Sequence, residues 1–113
     1  MREAVIVSSA RSGLTKAGRG EFNNTTGATL GGAVMGEAVR RSGIDPARIE
    51  DCLIGCAYPQ GTTGGNIARQ IVIRAGLPIS IAGATVNRFC SSGLQTVAMA
   101  ANSIVNEGAD AVA

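Results

Sequence analysis

The chain has 113 residues, 45% of them apolar and 16% charged, which fits one globular domain with a hydrophobic core rather than a disordered segment. Its ten Lys and Arg outnumber eight Asp and Glu to leave a net charge of +2. These charges are scattered and only three aromatics are present, which argues against a nucleic-acid-binding surface built from basic clusters and stacking rings. The charged fraction falls below the usual figure of about a quarter, so part of the surface is expected to be covered by something else.

The opening apolar run, Ala4 to Ser8, is rich in Val and Ile and predicts a buried strand. Ser8, Ser9 and Arg11 cut it too short for a signal peptide or a membrane span, so the expected location is cytoplasmic, away from any membrane. Residues 11–24 hold Gly13, Gly18, Gly20, Asn23 and Asn24, which is loop chemistry. Asn23-Asn24-Thr25 matches a glycosylation acceptor only in form, because no secretory signal precedes it.

Thr25 or Thr26 is placed to cap a helix in which Leu30, Ala33, Val34 and Ala38 recur at helical spacing. Arg40 and Arg41 suit the negative end of its dipole, and Gly43 terminates it. Asp45-Pro46 predicts a cap and a first-turn proline on one short turn. Cys52 to Tyr58 is the second expected strand, and Pro59 to Gly65 a loop. Asn66 is placed to cap a helix whose Ile67, Ile71 and Ala75 share a face, stopped by Gly76-Leu77-Pro78.

Ala82 to Asn87 is the third expected strand. Ser91 or Ser92 then opens the most strongly patterned helix, with Leu94, Val97, Ala98, Ala101, Ile104 and Val105 in one apolar stripe. Gly108 ends it, and Ala109 to Ala113 begins a further strand that stops without an exit loop. Strands alternating with helices predict an α/β fold, a sheet layered between helices. A sheet ended at that point exposes an unpaired edge, so the chain reads as part of a longer fold.

Gly18-Arg19-Gly20 and Gly61-Thr62-Thr63-Gly64-Gly65 match neither a phosphate loop nor a dinucleotide-binding fingerprint, and read as turns. Cys52 and Cys56 stand four apart on an expected strand, roughly 13 Å from one another, too far to share a metal or a disulfide. With no His and one other Cys in the chain, a zinc site lacks ligands, and these two read as small buried apolar residues. No metal site is expected.

Cys90 differs. It falls at the junction between an expected strand and the following helix, in Asn87-Arg88-Phe89-Cys90-Ser91-Ser92-Gly93. A helix N-terminus offers free N–H groups and partial positive charge, which stabilise a thiolate and are expected to lower its pKa. Gly93 leaves room for a ligand or another chain, and backbone N–H groups, that of Cys90 included, are placed to hold the oxyanion of a tetrahedral intermediate.

The string Val86-Asn87-Arg88-Phe89-Cys90-Ser91-Ser92-Gly93-Leu94-Gln95-Thr96-Val97, followed by Ile104, resembles the acyl-enzyme signature of thiolases. The likeness extends to the opening Ala4 to Arg11 and to Gly64-Gly65-Asn66-Ile67-Ala68-Arg69-Gln70. The wording around Cys90 is more similar to 3-ketoacyl-CoA thiolases than to acetoacetyl-CoA-forming relatives. The resemblance implies a thiolase-like α-β-α-β-α layered fold, with residues 1–113 as the first half of its N-terminal domain, a mixed sheet between helices, and the loop region and C-terminal domain absent. It also implies a homo-oligomer, dimer or tetramer, and coenzyme A as a substrate with no bound cofactor.

The chemistry it implies is a two-step exchange. The Cys90 thiolate attacks the carbonyl of a 3-ketoacyl-CoA and releases acetyl-CoA, and free CoA then removes the shortened acyl group. The family's activating His, its second reactive Cys and its water-holding oxyanion residue come from the C-terminal half. This chain has no His, so the fragment alone is expected to be inactive, and a second chain is one source of the missing half. The alternatives are a non-catalytic association or dimerisation fragment and a ketosynthase-type relative that takes a carrier-protein thioester. The Ser91-Ser92-Gly93 run weighs against the ketosynthase alternative.

Overall fold

A computed structural model describes all 113 residues. Its elements are helix α1 (Gly27–Ser42), strand β1 (Ile49–Gly55), helix α2 (Ile67–Arg74), strand β2 (Ala82–Val86), helix α3 (Ser92–Asn102) and strand β3 (Ala111–Val112), with single 3-10 turns at 46–48, 61–63 and 89–91. The strands form one sheet in the order β2-β1-β3. Both pairings are parallel, with Cys52 opposite Gly83 and Ile49 opposite Ala111. The three strands therefore contain no antiparallel pair, whereas a mixed sheet was the expectation.

Right-handed crossovers are the rule between parallel strands. The step from β1 to β2 and the step from β2 back past β1 to β3 run in opposite directions across the sheet. The two connecting helices therefore lie on opposite faces. Cys52 is buried with Ala68 and Val72 of α2, in a core completed by Val39, Ile49 and Ile81. The first turn of α3 lies against Gly55. The result is the layered α/β arrangement that the alternation of elements predicts.

Local chemistry sets the helix ends. Thr26 Oγ1 accepts the Thr29 N–H at 3.2 Å, so Thr26 is the cap of α1. Gly43 closes that helix at φ 68°, a conformation glycine adopts without a Cβ clash. Asp45 Oδ1 accepts the Ala47 N–H at 3.0 Å and opens the proline turn. The glycine at position 31 lets α1 approach α2, because a Cβ there would collide with the Ile71 side chain. Ala33, one of the apolar residues at helical spacing, is exposed, and Gly32 and Val39 are the buried residues of α1.

Three further expectations change. Ala4 to Ser8 joins no sheet. The segment is tied at both ends: Arg2 donates to the Gly108 and Ala109 carbonyl oxygens at 2.9 and 3.1 Å, and Ser8 Oγ donates to the Ala38 carbonyl at 2.6 Å. Between these ties Val5, Ile6 and Val7 are exposed and border an apolar trough of about 610 Å³, shared with the edge strand β3 and with α3. A strand needs a partner edge for its N–H and C=O groups, and this segment meets none.

The apolar stripe of α3 is the second. Leu94 is 77% and Val97 51% exposed, while Ser92 and Thr96 are the buried residues of this helix. The inner face is set by close approach to β1 and not by hydropathy, because a helix backbone that nearly touches a strand leaves room only for small side chains. The helix also continues through one π turn, Ser103–Glu107, before Gly108 closes it at φ 85°.

Asn66 is the third. It occupies the cap position of α2 without making the cap bond. Thr85 Oγ1, from β2, accepts the Ala68 N–H at 3.1 Å and donates to Asn66 Oδ1 at 2.8 Å, while Asn66 Nδ2 donates to the Gly83 carbonyl at 2.7 Å. The orphan N–H at the helix start is thus satisfied from the neighbouring strand.

Candidate active site

Parallel strands deliver their C-terminal ends to one side of the sheet, and the loops there carry the chemistry of α/β folds. Two of those ends meet beside Cys90. The Cys56 N–H, just past β1, donates to the Val86 carbonyl at the end of β2 at 2.9 Å. Residues 87–91 then turn sharply from β2 into α3, and Cys90 is the middle residue of the 3-10 turn Phe89–Ser91. Its thiol group belongs to an exposed residue.

The backbone of this turn is unusual at Phe89, whose φ is 48°. No other non-glycine residue in the chain has positive φ. A bulky L-residue in this region costs about 1–3 kcal/mol and persists only where its surroundings over-determine it. Packing of the ring does not do so, since Phe89 is 67% exposed. Hydrogen bonds do. Asn87 Oδ1 accepts the Phe89 N–H at 2.9 Å, an Asx turn. Ser92 Oγ accepts the Arg88 N–H at 2.9 Å and donates to the Phe89 carbonyl at 2.6 Å.

Ser91 adds its hydroxyl and its N–H, both donated to the Arg88 carbonyl at 3.0 and 3.1 Å. The Ser92 N–H also bonds the Phe89 carbonyl. Arg88 spans the first turns of α3 to donate to Gln95 Oε1 at 2.6 Å. These bonds engage the amides of Arg88, Phe89, Ser91 and Ser92, and the Cys90 N–H is not among them. The strand-to-helix junction predicted for Cys90 is therefore present, with the thiol outside and the turn fastened from within.

The other two cysteines separate as their chemistry requires. Cys52 is fully buried on β1, and desolvation together with the nearby Asp51 charge pushes its thiol from 9.0 up to about 11. Cys56 lies one residue past the end of β1 and is half-buried. Burial was expected for both, and it is complete only for Cys52. No group of three His, Cys, Asp or Glu side chains is gathered where a metal would bind.

Three residues of this site escaped the sequence pattern. Ser92 opens α3 as expected, and its second role, a buried clamp on the preceding turn, gave no sequence signal. Asn87 carried a readable signal, an Asn two residues before the amide it accepts. Gly55 carried none, because its importance lies in contact with residues far along the chain. A Cβ on Gly55 would stand 2.5 Å from the Gly93 nitrogen and from the Ser92 carbonyl carbon.

Comparison with known proteins bears on the same unit. Residues 4–113 match the family model described as thiolase, N-terminal domain. The chain is 45% identical over 105 residues to a 3-ketoacyl-CoA thiolase of Bacillus subtilis, covering 93% of this chain and 27% of that relative. It is 39% identical over 111 residues to an acetyl-CoA acetyltransferase of Syntrophomonas wolfei, covering 98% of this chain and 28% of that protein. The crystal structure of the Bacillus anthracis acetyl-CoA acetyltransferase superposes with a TM-score of 0.89 at 34% identity, over 99% of this chain and 28% of that one. The chain thus spans a little over a quarter of the length of the relatives it matches. Fold, motif and matched span agree, and the chain belongs to the thiolase family, as part of that family's N-terminal domain.

Proposed function

We propose that this chain supplies the acyl-accepting nucleophile of a thiolase-type acyl-CoA acyltransferase, with Cys90 as that nucleophile. The observation that carries this reading is the exposed Cys90 on a strained, internally hydrogen-bonded turn at the start of α3. Fixed geometry at a reacting atom is what covalent catalysis needs.

In the proposed reaction the Cys90 sulfur forms a bond to the 3-carbonyl carbon of a 3-ketoacyl-CoA. The bond between C2 and C3 then breaks, and its electron pair goes to C2 of the departing acetyl-CoA, which takes up a proton. The acyl group remains on sulfur until the thiol of CoA attacks it and Cys90 is regenerated. CoA is a substrate throughout and not a resident cofactor. The Cys90 N–H is the proposed oxyanion donor, worth about 10²–10³ in rate in comparable sites.

The proton transfers need a base, and there is no His in the 113 residues. General acid–base catalysis contributes about 10²–10⁴-fold. The chain alone is therefore proposed to be acylated slowly and to turn over negligibly, with the remaining groups supplied by further polypeptide. The test is incubation with a 3-ketoacyl-CoA, with and without the complementary C-terminal part of a thiolase, followed by peptide mass analysis. Acyl mass on the Cys90 peptide, its loss in C90S, and thiolysis in the complemented sample support the reading. Acylation at Cys56 instead, or none in the complemented sample, overturns it.

A second reading, a non-catalytic association module, has one observation in its favour. Val5 to Val7, Leu94 and Val97 leave an apolar surface beside an open trough. It predicts a stable homo-oligomer of 113-residue chains with an inert Cys90, which native mass measurement and thiol labelling distinguish.

A further inference from the structure

We propose that Ser92 is the positioning residue of the Cys90 nucleophile, its buried hydroxyl holding Phe89 in the left-handed backbone conformation that turns Cys90 outward. The inference rests on the reading of Cys90 as nucleophile for its functional meaning, though not for its geometry.

The hydroxyl sits where one atom controls both sides of residue 89. It accepts the Arg88 N–H at 2.9 Å and donates to the Phe89 carbonyl at 2.6 Å. It therefore ties the peptide group before Arg88 to the one after Phe89, closing a loop around the strained φ of 48°. Asn87 holds the amide between them but is exposed, so water is available to take its place. Ser92 is 3% exposed. Deleting its hydroxyl removes both bonds at once from a part-buried place and leaves the Arg88 N–H without that partner, which is the costly direction of losing a hydrogen bond.

Neighbouring packing makes the position of Ser92 unadjustable. Its backbone lies against Gly55, with no space for even a Cβ between them. The hydroxyl is thus fixed to the sheet through β1, and the turn is fixed to the hydroxyl. The bonds of the Ser92 hydroxyl run to the backbone of Arg88 and Phe89 and not to the Cys90 thiol. Ser92 acts on Cys90 through the backbone of Phe89.

Glycine adopts positive φ without a Cβ clash, so F89G removes the strain that Ser92 is proposed to hold. The experiment is a double-mutant cycle on the full chain: wild type, S92A, F89G and S92A/F89G. Cys90 alkylation by iodoacetamide is followed between pH 6 and 9 by peptide mass analysis, folding by circular dichroism and urea, and the sign of φ at residue 89 by NMR couplings. S92A is expected to slow Cys90 labelling about fivefold to tenfold, as expected from the loss of one buried hydrogen bond, and to move φ of Phe89 to negative values. S92A/F89G is expected to label within about twofold of F89G. Unfolding of S92A with folding of S92A/F89G gives the same support.

Equal loss in both backgrounds, no loss in a folded S92A, or unfolding of both S92A variants overturns the positioning role. If wild-type Cys90 labels no faster than in the urea-unfolded chain, the nucleophile reading fails. The φ measurement still decides the role of Ser92 in that case.

Discussion

Gly55 and Ser92 meet backbone to backbone: a Cβ on Gly55 would lie 2.5 Å from the Ser92 carbonyl carbon and 2.7 Å from its oxygen. The end of the central strand thus receives the first turn of α3 directly. This contact fixes the base on which the Cys90 turn stands.

G55A is expected to destabilise the chain by about 1–3 kcal/mol, the usual cost of forcing atoms into a filled space. The added methyl group meets backbone, which cannot rotate aside as a side-chain tip would. Urea unfolding followed by circular dichroism measures the change. A midpoint equal to that of the wild type refutes the close contact.

T85V is expected to cost about 1–2 kcal/mol, since it removes the acceptor of the Ala68 N–H and the donor to Asn66. T85S keeps the hydroxyl and is expected to retain more of the stability. If T85V, which keeps the methyl, is as stable as the wild type, or T85S, which keeps the hydroxyl, is the less stable of the two, methyl packing and not the hydrogen bonds dominates at this position.

The three thiols are expected to label in different regimes. Cys90 reacts with iodoacetamide in the native state, whereas Cys52 requires global unfolding because it is fully buried. Peptide-resolved mass analysis across a urea series reads both. Labelling of Cys52 at the native rate of Cys90 contradicts this core.

Cys52 also gives the chain a pH dependence. Below about 9.0 its thiol is protonated in both folded and unfolded chains, and it contributes no slope. Above that value the unfolded chain ionises the group while the folded chain keeps the proton until about 11. Bound protons are then fewer in the unfolded state, so stability falls as pH rises through this window. Urea midpoints between pH 8 and 10.5 are expected to fall more steeply for the wild type than for C52A, and parallel curves refute the assignment.

Val97 lies on the stripe that α3 leaves outside, and it lines the open trough. V97K is expected to change stability by no more than about 0.5 kcal/mol, as for other exposed positions. It is expected to reduce binding of an apolar dye. A loss of several kcal/mol would place Val97 in a core.

Local sequence signals determined the local parts of this protein. Thr26, Gly43, Asp45-Pro46 and Gly108 mark ends where they were expected, because caps and left-handed turns are decided by a residue and its near neighbours. The Cys90 motif and its strand-to-helix setting were legible for the same reason. Tertiary structure alone decided which face of α3 is buried. The apolar stripe was real, but contact with Gly55 selected the narrow Ser92 and Thr96 face and left Leu94 and Val97 outside. It also decided that Ala4 to Ser8 forms no strand, since a β-rich sequence needs a partner edge to pair with. The left-handed backbone at Phe89 was invisible for a related reason. No propensity of phenylalanine favours it, and it exists because Asn87 and Ser92 are held where their side chains can enforce it.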